Sequence, residues 1–223
     1  SGTLDWKTGQ IALNSGALTG VGTSGFTPNN TDGVAGLQNS TRYFEVNLRA
    51  AGTISMTDTT ATIDRLNVRG AQSGLNIKSG SSLTTMISSY VDAGFVRVDG
   101  VFAPSQLNVL GGVVSGNGSI VTKTGVLVAS GTLTPGAVGG VGTLRISGGA
   151  GFGGTGVLGI DVASPTSADR LIIVTGNLVL GGGLAVNFLD NYVPDFGTSW
   201  TIATSEKGSI SGSFAMVAAN LPG

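Results

Sequence analysis

The sequence predicts an all-β fold, a right-handed parallel β-helix (solenoid) of about ten rungs, and three observations support this fold class. Short units of the form apolar, any residue, apolar recur along the chain, at a period of about 20 residues. The chain has 39 Gly among its 223 residues, many of them beside Ser, Thr, Asn or another Gly, which is the chemistry of tight turns. No long stretch carries apolar residues at helical spacing, so we expect almost no helix.

The recurring units are typical of half-buried strands, because their middle residue is often polar. They begin at Leu66, Leu75, Val96, Leu107, Val126, Leu144, Leu158, Leu178 and Leu184. Their spacings are 21, 19, 18 and 20 residues for Leu75 to Val96, Leu107 to Val126, Val126 to Leu144 and Leu158 to Leu178. In a β-helix each rung supplies about three short strands, and like strands stack at about 4.8 Å. We therefore expect inward Leu, Val and Ile to form ladders and glycines to occupy the corners.

The composition excludes several classes of protein. Charged residues make up 10% of the chain and apolar residues 40%, with a mean hydropathy of +0.33, so the chain can bury surface and is not a disordered segment. The net charge is −1 and the eleven basic residues are scattered, so we expect no nucleic-acid partner and no anionic membrane surface. The absence of Cys and His excludes disulfides, thiolate metal sites and a Ser-His-Asp triad.

No linker divides the chain, so residues 1–223 are predicted to form a single β-helix domain. Val21–Gln38 is rich in turn formers and is interpreted as a projecting loop, and Asp190–Phe196 as a connection near the C-terminal end. Leu171–Leu189 is long and uncharged, but three consecutive glycines and two asparagines divide it into short strands rather than a membrane helix. Leu4–Leu13 forms either an earlier rung or a capping segment.

The second half of the chain carries an ordered series of short motifs. Val113–Val121 (VVSGNGSIV) leads into Gly125–Gly136 (GVLVASGTLTPG), and the series continues with Gly142-Thr143-Leu144, Asp169-Arg170-Leu171, Val174-Thr175-Gly176, Leu180-Gly181-Gly182-Gly183-Leu184, Trp200-Thr201-Ile202-Ala203 and Ser211-Gly212-Ser213-Phe214. This order resembles the C-terminal passenger region of bacterial type V autotransporters, where a G-x-L-x-P-G turn, a D-x-L strand start, a G-G-x-L hairpin and a terminal G-x-F follow one another. The resemblance covers about residues 105 to 218, half of the chain.

The resemblance implies a larger parent protein and a place for this segment in it. The parent would carry an N-terminal signal, more β-helix before residue 1 and, after Gly223, its own C-terminal outer-membrane β-barrel as a partner. The segment would be exported across the outer membrane to the cell surface or the medium. There, residues 105–218 would act as an autochaperone, a folding template for the β-helical stalk of an adhesin or virulence-type protein. Further partners implied are a host surface or a second copy of the chain.

We assign no catalytic, cofactor-binding or metal-binding residue from the sequence, and we expect a protein that is not an enzyme and has no cofactor. One alternative is a polysaccharide-acting β-helix, a lyase or hydrolase, which needs acids clustered with a basic residue on one face. The residues available for it are Asp58, Asp64, Asp92 and Asp99, with Arg65, Arg69 and Arg97. A second alternative is a self-assembling extracellular structural protein, because terminal rungs offer free strand edges.

Two local patterns resemble binding sites. Gly151–Gly156 matches G-x-G-x-x-G, but a dinucleotide site needs a helix after it, and Val157-Leu158-Gly159-Ile160 is predicted to be a strand. Asp190, Asn191 and Asp195 offer oxygen ligands for one hard cation, and a turn or capping role is the favoured interpretation.

Overall fold

The structure is a computed structural model that describes the backbone of Thr3–Trp6 and residues 45–220, and these parts of the chain are all-β. Short strands stack side by side in three sheets, and every strand pair but one is parallel. The described residues contain one short 3-10 turn, Leu189–Asn191, and no helix long and apolar enough to cross a membrane. The predicted fold class, a parallel β-solenoid, is confirmed.

The three sheets form the three faces of the column. Sheet 1 consists of β2 (Glu45–Leu48), β5 (Arg65–Val68), β8 (Ser89–Val91), β11 (Leu107–Val109), β14 (Val126–Val128), β17 (Ala150–Phe152), β21 (Leu178–Leu180) and β24 (Ile210–Gly212). Sheet 2 consists of β1 (Thr3–Trp6), β3 (Gly52–Met56), β6 (Ser73–Ile77), β9 (Phe95–Val98), β12 (Val113–Gly116), β15 (Thr132–Pro135), β18 (Val157–Ser164), β22 (Gly183–Phe188) and β25 (Met216–Asn220), with β19 (Ser167–Ala168) antiparallel to β18. Sheet 3 consists of β4 (Thr60–Ile63), β7 (Ser82–Thr85), β10 (Val101–Pro104), β13 (Ser119–Val121), β16 (Thr143–Ser147), β20 (Arg170–Thr175) and β23 (Ala203–Ser205).

From β2 onward the chain visits sheets 1, 2 and 3 in turn, and the column has about seven turns. The expectation of about ten rungs is wrong because the turns lengthen towards the C-terminus. Along sheet 1, paired residues are 18 apart from Ser89 to Leu107, 28 apart from Ala150 to Leu178, and 32 apart from Leu178 to Ile210. In the 28-residue turn most of the extra residues lie in the long strand β18, in its hairpin partner β19 and in β20, whereas in the 32-residue turn they lie in the connection between β22 and β23.

Two of the four predicted repeat spacings match true neighbours in the column. Leu75 pairs with Val96 in sheet 2, and Leu107 pairs with Val126 in sheet 1. The period of about 20 residues therefore holds where the corners are short.

The other two spacings are wrong because they join strands of different sheets. Val126 lies in sheet 1 and Leu144 in sheet 3, while Leu158 lies in sheet 2 and Leu178 in sheet 1. The hairpin expected at Leu180–Leu184 is also a corner, since β21 and β22 belong to different sheets. Insertions in the corners shift the phase of the repeat while the hydrophobic pattern of each strand stays the same.

The interior of the column is filled by ladders of aliphatic side chains. On sheet 2, Leu75, Val96, Val114, Leu133 and Leu158 stack in register and are fully buried. Burial of each such side chain contributes about 1.5–3 kcal/mol, which makes stacking of turn on turn the main source of stability.

One corner shows why glycine is required at close approaches of the backbone. Gly116 has a φ of 129°, and a Cβ atom there would lie 2.0 Å from the carbonyl oxygen of Val98 in the turn before. Both the conformation and the contact exclude any other residue.

The other segments singled out from the sequence can now be placed on the column or outside the described residues. Leu171–Leu189 is divided among β20, β21 and β22, which confirms that it is no membrane helix. Asp190–Phe196 lies in the connection between β22 and β23, as predicted. Thr3–Trp6 forms a strand on β3, so Leu4–Leu13 begins as part of the column, and its remainder lies outside the described residues. Val21–Gln38 lies outside them entirely.

Candidate functional site

The acids available for a polysaccharide-acting site lie at three different corners of the column. Asp58 and Asp99 both follow strands of sheet 2, but they are two turns apart. Asp64 is buried between β4 and β5, and Asp92 lies between β8 and β9. These four carboxylates do not converge on one face, so their placement gives no support to paired carboxylate chemistry.

The basic residues of that set are dispersed as well. Arg69 Nε lies 3.2 Å from Asp92 Oδ2, and Arg97 Nε lies 2.6 Å from Asp99 Oδ2. Arg65 begins β5, and its guanidinium carbon lies 5.6 Å from the centre of a tyrosine ring. Both ion pairs are partly exposed and contribute at most about 1 kcal/mol each. Arg69–Asp92 joins two neighbouring turns, Arg97–Asp99 lies within one segment, and neither builds a pocket.

The two patterns that resemble binding sites lie in turns. Gly151–Gly156 covers the end of β17 and the turn before β18, and the strand that follows it, rather than a helix, excludes the geometry of a dinucleotide site. Asp190 and Asn191 are exposed at positive φ in the 3-10 turn, and the backbone carbonyl of Asp195 accepts a hydrogen bond from Thr198. Within residues 45–220 no three His, Cys, Asp or Glu side chains form a group suited to a metal ion.

A buried polar arrangement is centred on Asp169, which immediately precedes β20. Its side chain is fully buried. Oδ1 accepts a hydrogen bond of 2.6 Å from the Gly142 amide, and Oδ2 accepts one of 2.8 Å from the Asp161 amide. We call these three residues the clasp. The clasp ties the connection before β16 and the middle of β18 to the start of β20, so it joins successive turns of the column.

Burial has a marked effect on the protonation of the clasp. The pKa of Asp169 is raised to about 7, chiefly by loss of hydration; the nearby carboxylate of Asp161 adds to the rise, and the two backbone hydrogen bonds oppose it. Asp161 is itself almost fully buried, and its Oδ2 accepts no hydrogen bond from the described residues. Two carboxyl groups therefore share a poorly hydrated space on the outer side of sheet 2.

A row of polar side chains, here called the polar ladder, continues from the clasp to the last strand. It consists of Asp161 on β18, Asn187 on β22 and Asn220 on β25, which are aligned in register. Asn187 Nδ2 donates to Asp161 Oδ1 at 2.8 Å, and Asn220 Nδ2 donates to Asn187 Oδ1. Asn220 Oδ1 also accepts the Phe188 amide at 2.7 Å. The polar ladder adds side-chain hydrogen bonds between the last three strands of sheet 2.

An aromatic cluster covers the connection between β22 and β23. It consists of Phe188, Tyr192 and Trp200, whose ring centres are 6.0–6.3 Å apart. Trp200 Nε1 donates a hydrogen bond of 2.9 Å to the carbonyl of Ser164, in the hairpin of the preceding turn. The long connection therefore folds back on the column, and the tilted and edge-on packing of the rings stabilises it.

A shallow apolar groove lies on the outer face of sheet 1. It has a volume of about 380 Å³, and Gly151 forms its floor between Leu127 and Val179, which are both exposed. A Cβ atom at Gly151 would meet only the Cβ of Val179, at 4.0 Å, so glycine leaves an open notch rather than meeting a steric demand. The lining contains no charged residue and no aromatic ring, which does not suit a sugar.

Sequence analysis missed the clasp, the polar ladder and the aromatic cluster as sites. Asp169 appears in the sequence only as the residue before a strand, and nothing near it indicates that Gly142, 27 residues earlier, supplies a partner. Asn187 and Asn220 occupy equivalent places 33 residues apart, a spacing longer than the repeat. Only an alignment of the repeats that allows corners of different length could have placed these residues side by side.

Comparison of the chain with family models, curated proteins and solved structures finds no match. The fold and the side-chain contacts are therefore the observations on which a functional proposal rests.

Proposed function

We propose that this chain is the β-helical stalk of a bacterial autotransporter passenger, and that its C-terminal turns are the template on which the rest of the column folds. The passenger is of the adhesin or virulence type and is exposed at the cell surface or secreted. Its own C-terminal outer-membrane β-barrel, in the parent protein, is the partner during export. The segment acts as a stalk and as a folding template, and this role needs neither a cofactor nor a catalytic group.

The architecture supports a template because each turn presents three strand edges to the next. A new turn gains its backbone hydrogen bonds and buries its apolar side chains only when a formed turn already lies beside it. The cost of forming the first turns is therefore the main barrier, and a preformed end removes it.

The observation that carries the proposal is the fastening of the last turns by contacts other than strand pairing. The clasp, the polar ladder and the aromatic cluster each join a turn to its neighbour, and all three lie between Gly142 and Asn220. The neutral side-chain hydrogen bonds among these contacts contribute about 0.5–1.5 kcal/mol each. The turns from β16 to β25 are consequently held together by more than strand pairing, as a folding template requires. Asn67 Nδ2 likewise donates to Glu45 Oε1 and Asn47 Oδ1 across the first turns, so refolding rates decide which end forms first.

The test compares two fully buried leucines at opposite ends of the column, Leu171 in β20 and Leu66 in β5. Both Leu171→Ala and Leu66→Ala are expected to lower the unfolding free energy by about 2–5 kcal/mol. If folding starts at the C-terminal turns, Leu171→Ala slows refolding roughly tenfold or more. Leu66→Ala leaves the refolding rate within about twofold of wild type and accelerates unfolding instead.

Refolding from urea, at a protein concentration low enough to keep the chain monomeric, gives the rates through circular dichroism. Pulse-labelling hydrogen exchange of the wild type locates the amides that become protected first, and these are expected in β16 to β22. Equal slowing by both variants, or earlier protection of β2 to β7, would contradict the template proposal.

A further inference from the structure

A corner in the middle of the column, between β12 and β13, holds the dipeptide Asn117-Gly118. It is the one place in the sequence where Asn precedes Gly. Asn117 lies exposed at the outer surface. Asparagine is a thermolabile residue, and it is most labile before glycine, because a residue without a Cβ atom leaves its own amide nitrogen unshielded. The corner therefore contains the step of the chain most prone to lose a side-chain amide.

Both residues of this dipeptide have a structural role at the corner. A Cβ atom at Gly118 would lie 2.2 Å from the carbonyl oxygen of Gly100 in the preceding turn, so glycine is required there. Asn117 Oδ1 accepts a hydrogen bond of 3.1 Å from the amide of Thr143, which begins β16 in the following turn. The same pair that lets successive turns approach closely is therefore also the labile one.

In the folded column the two groups that would react are tied to turns on opposite sides. The Gly118 amide donates a hydrogen bond of 2.8 Å to the carbonyl of Val98 in the preceding turn. The Asn117 side chain is held by Thr143 in the following turn, and the Asn117 amide donates to Asp99 Oδ1 at 3.2 Å. Ring closure needs Cγ of Asn117 to fold back onto the Gly118 nitrogen. It therefore requires that these hydrogen bonds open first.

We propose that Asn117 is a site of spontaneous deamidation, which the folded column protects and the unfolded chain exposes, and that the isoaspartate product stops the column from refolding. The reaction needs only water. The Gly118 nitrogen gives up its proton and attacks Cγ of Asn117. A new N–Cγ bond forms, the Cγ–Nδ2 bond breaks, and the amide group leaves with that proton as ammonia. Water then opens the succinimide ring: cleavage of the new bond gives aspartate, and cleavage of the original peptide bond gives isoaspartate.

Isoaspartate changes the length of the corner. The main chain then runs through Cβ and Cγ, which adds an atom to the backbone between β12 and β13. The Ser119 amide, which donates to the carbonyl of Gly100 at 2.9 Å, is displaced along the corner, and β16 pairs with the strand that Ser119 begins. Chemical modification of the unfolded state is one route to irreversible unfolding. The dipeptide therefore limits how long the chain can stay unfolded and still form its column.

This inference goes beyond the proposed function and does not depend on it. The template proposal concerns the order in which turns form, and it is tested by the refolding rates of unmodified chains. The deamidation site concerns the covalent fate of one dipeptide, and it is tested by mass spectrometry. Either can fail while the other holds.

The experiment incubates the full chain, folded in buffer and unfolded in urea, at the same temperature and the same mildly alkaline pH. Peptide mapping by mass spectrometry follows the loss of the amide at Asn117, and methyl transfer from S-adenosylmethionine by an isoaspartyl methyltransferase measures the isoaspartate. The unfolded chain is expected to lose the amide roughly a hundredfold faster than the folded chain. Asn108, which precedes Val109, is the internal control and stays intact in both samples over the same time.

Two variants show whether the contacts at the corner give the protection. Asp99→Ala removes the acceptor of the Asn117 amide and is expected to speed deamidation of the folded chain several-fold. Asp92→Ala is the matched control, because it removes another partly exposed carboxylate paired with an arginine, at a different corner, and leaves the rate at Asn117 unchanged. Circular dichroism verifies that each variant is folded, and the wild-type comparison stands whether or not Asp99→Ala folds.

A refolding step tests the consequence of the modification. Chains kept unfolded for increasing times are returned to buffer, and the folded fraction is separated by its resistance to protease. Isoaspartate in place of Asn117 is expected only in the fraction that fails to refold. Asn117→Gln, whose longer side chain closes a ring far more slowly, is expected to refold fully after the same delay.

Three results would overturn the proposal. One is loss of the Asn117 amide at equal rates in the folded and unfolded wild type. Another is an unfolded chain in which Asn117 reacts no faster than Asn108. The third is isoaspartate found equally in the chains that refold and in those that do not, which would remove the block to refolding.

Discussion

Two leucines six residues apart in sequence allow the role of the interior ladders to be measured directly. Leu133 in β15 is fully buried and stacks between Val114 and Leu158 of the neighbouring turns. Leu127 in β14 points away from the column, and 42% of its surface is exposed. Leu133→Ala and Leu127→Ala delete the same atoms from strands of the same turn. Any difference between the two variants therefore comes from the environment of the side chain.

The expected magnitudes follow from this difference. Loss of three buried carbon atoms at Leu133 removes about 2–3 kcal/mol of transfer free energy. The cavity left inside the column raises the total loss to about 3–5 kcal/mol, because strands held in ladders by their neighbours cannot collapse around it. Leu127→Ala removes atoms that are partly hydrated and leaves no enclosed cavity, so we expect a loss below about 1 kcal/mol.

Urea unfolding followed by circular dichroism measures both losses, and the slope of the transition shows whether the two variants expose the same surface on unfolding. A loss at Leu127 equal to that at Leu133 would refute the assignment of inward and outward faces. A loss below about 1 kcal/mol at Leu133 would refute the tightly packed interior.

Three further predictions concern the C-terminal turns. Because the pKa of Asp169 is raised from 3.8 to about 7, the folded chain holds this proton more tightly than the unfolded chain. The contribution of this proton to the unfolding free energy is therefore complete below about pH 4 and is lost by about pH 7. The unfolding free energy changes over this range by at most about 1.4 kcal/mol per pH unit. Urea unfolding at several pH values should show this dependence in the wild type and not in Asp169→Asn. Gly156→Ala, whose Cβ would lie 2.1 Å from a backbone carbonyl oxygen, should lower the melting temperature sharply, whereas Gly153→Ala, with nothing within 4 Å, should not. Trp200→Phe should cost about 1–2 kcal/mol in chemical denaturation by removing the donor to a carbonyl oxygen, while Tyr192→Phe, whose buried hydroxyl has no hydrogen-bond partner among the described residues, should cost nothing.

The fold could be predicted from the sequence because alternation within a strand is a local property. Units such as Leu75-Asn76-Ile77 and Leu107-Asn108-Val109 have apolar residues two apart, and these residues point into the column. Glycine at a position such as Gly116 indicates a corner, because the need for glycine there also depends on only a few neighbouring atoms. Where corners are short, the period of the repeat gives the register as well.

The register of the later turns and the clasp could not be predicted, because both depend on how far each corner extends. The spacing from Val126 to its neighbour Ala150 is 24 residues rather than the expected 18, since the connection before β16 is long. The same connection brings the Gly142 amide to Asp169. A buried carboxylate held by backbone amides leaves no pattern in the sequence, because an amide donor belongs to every residue except Pro.

Because the corners differ in length, the number of residues in a turn is not fixed by the apolar interior that the turn encloses. Strands of three to six residues keep their places in most turns, while the connections between them absorb the whole difference between an 18-residue and a 32-residue turn. The connection around Val138 and Gly139 is exposed, and none of the described residues would lie within 4 Å of a Cβ atom at Gly139. Foreign epitopes or whole small domains inserted there would be carried outward without displacing the turns above and below. The column is in this sense a display scaffold, whose corner loops can vary while its stacked strands stay the same.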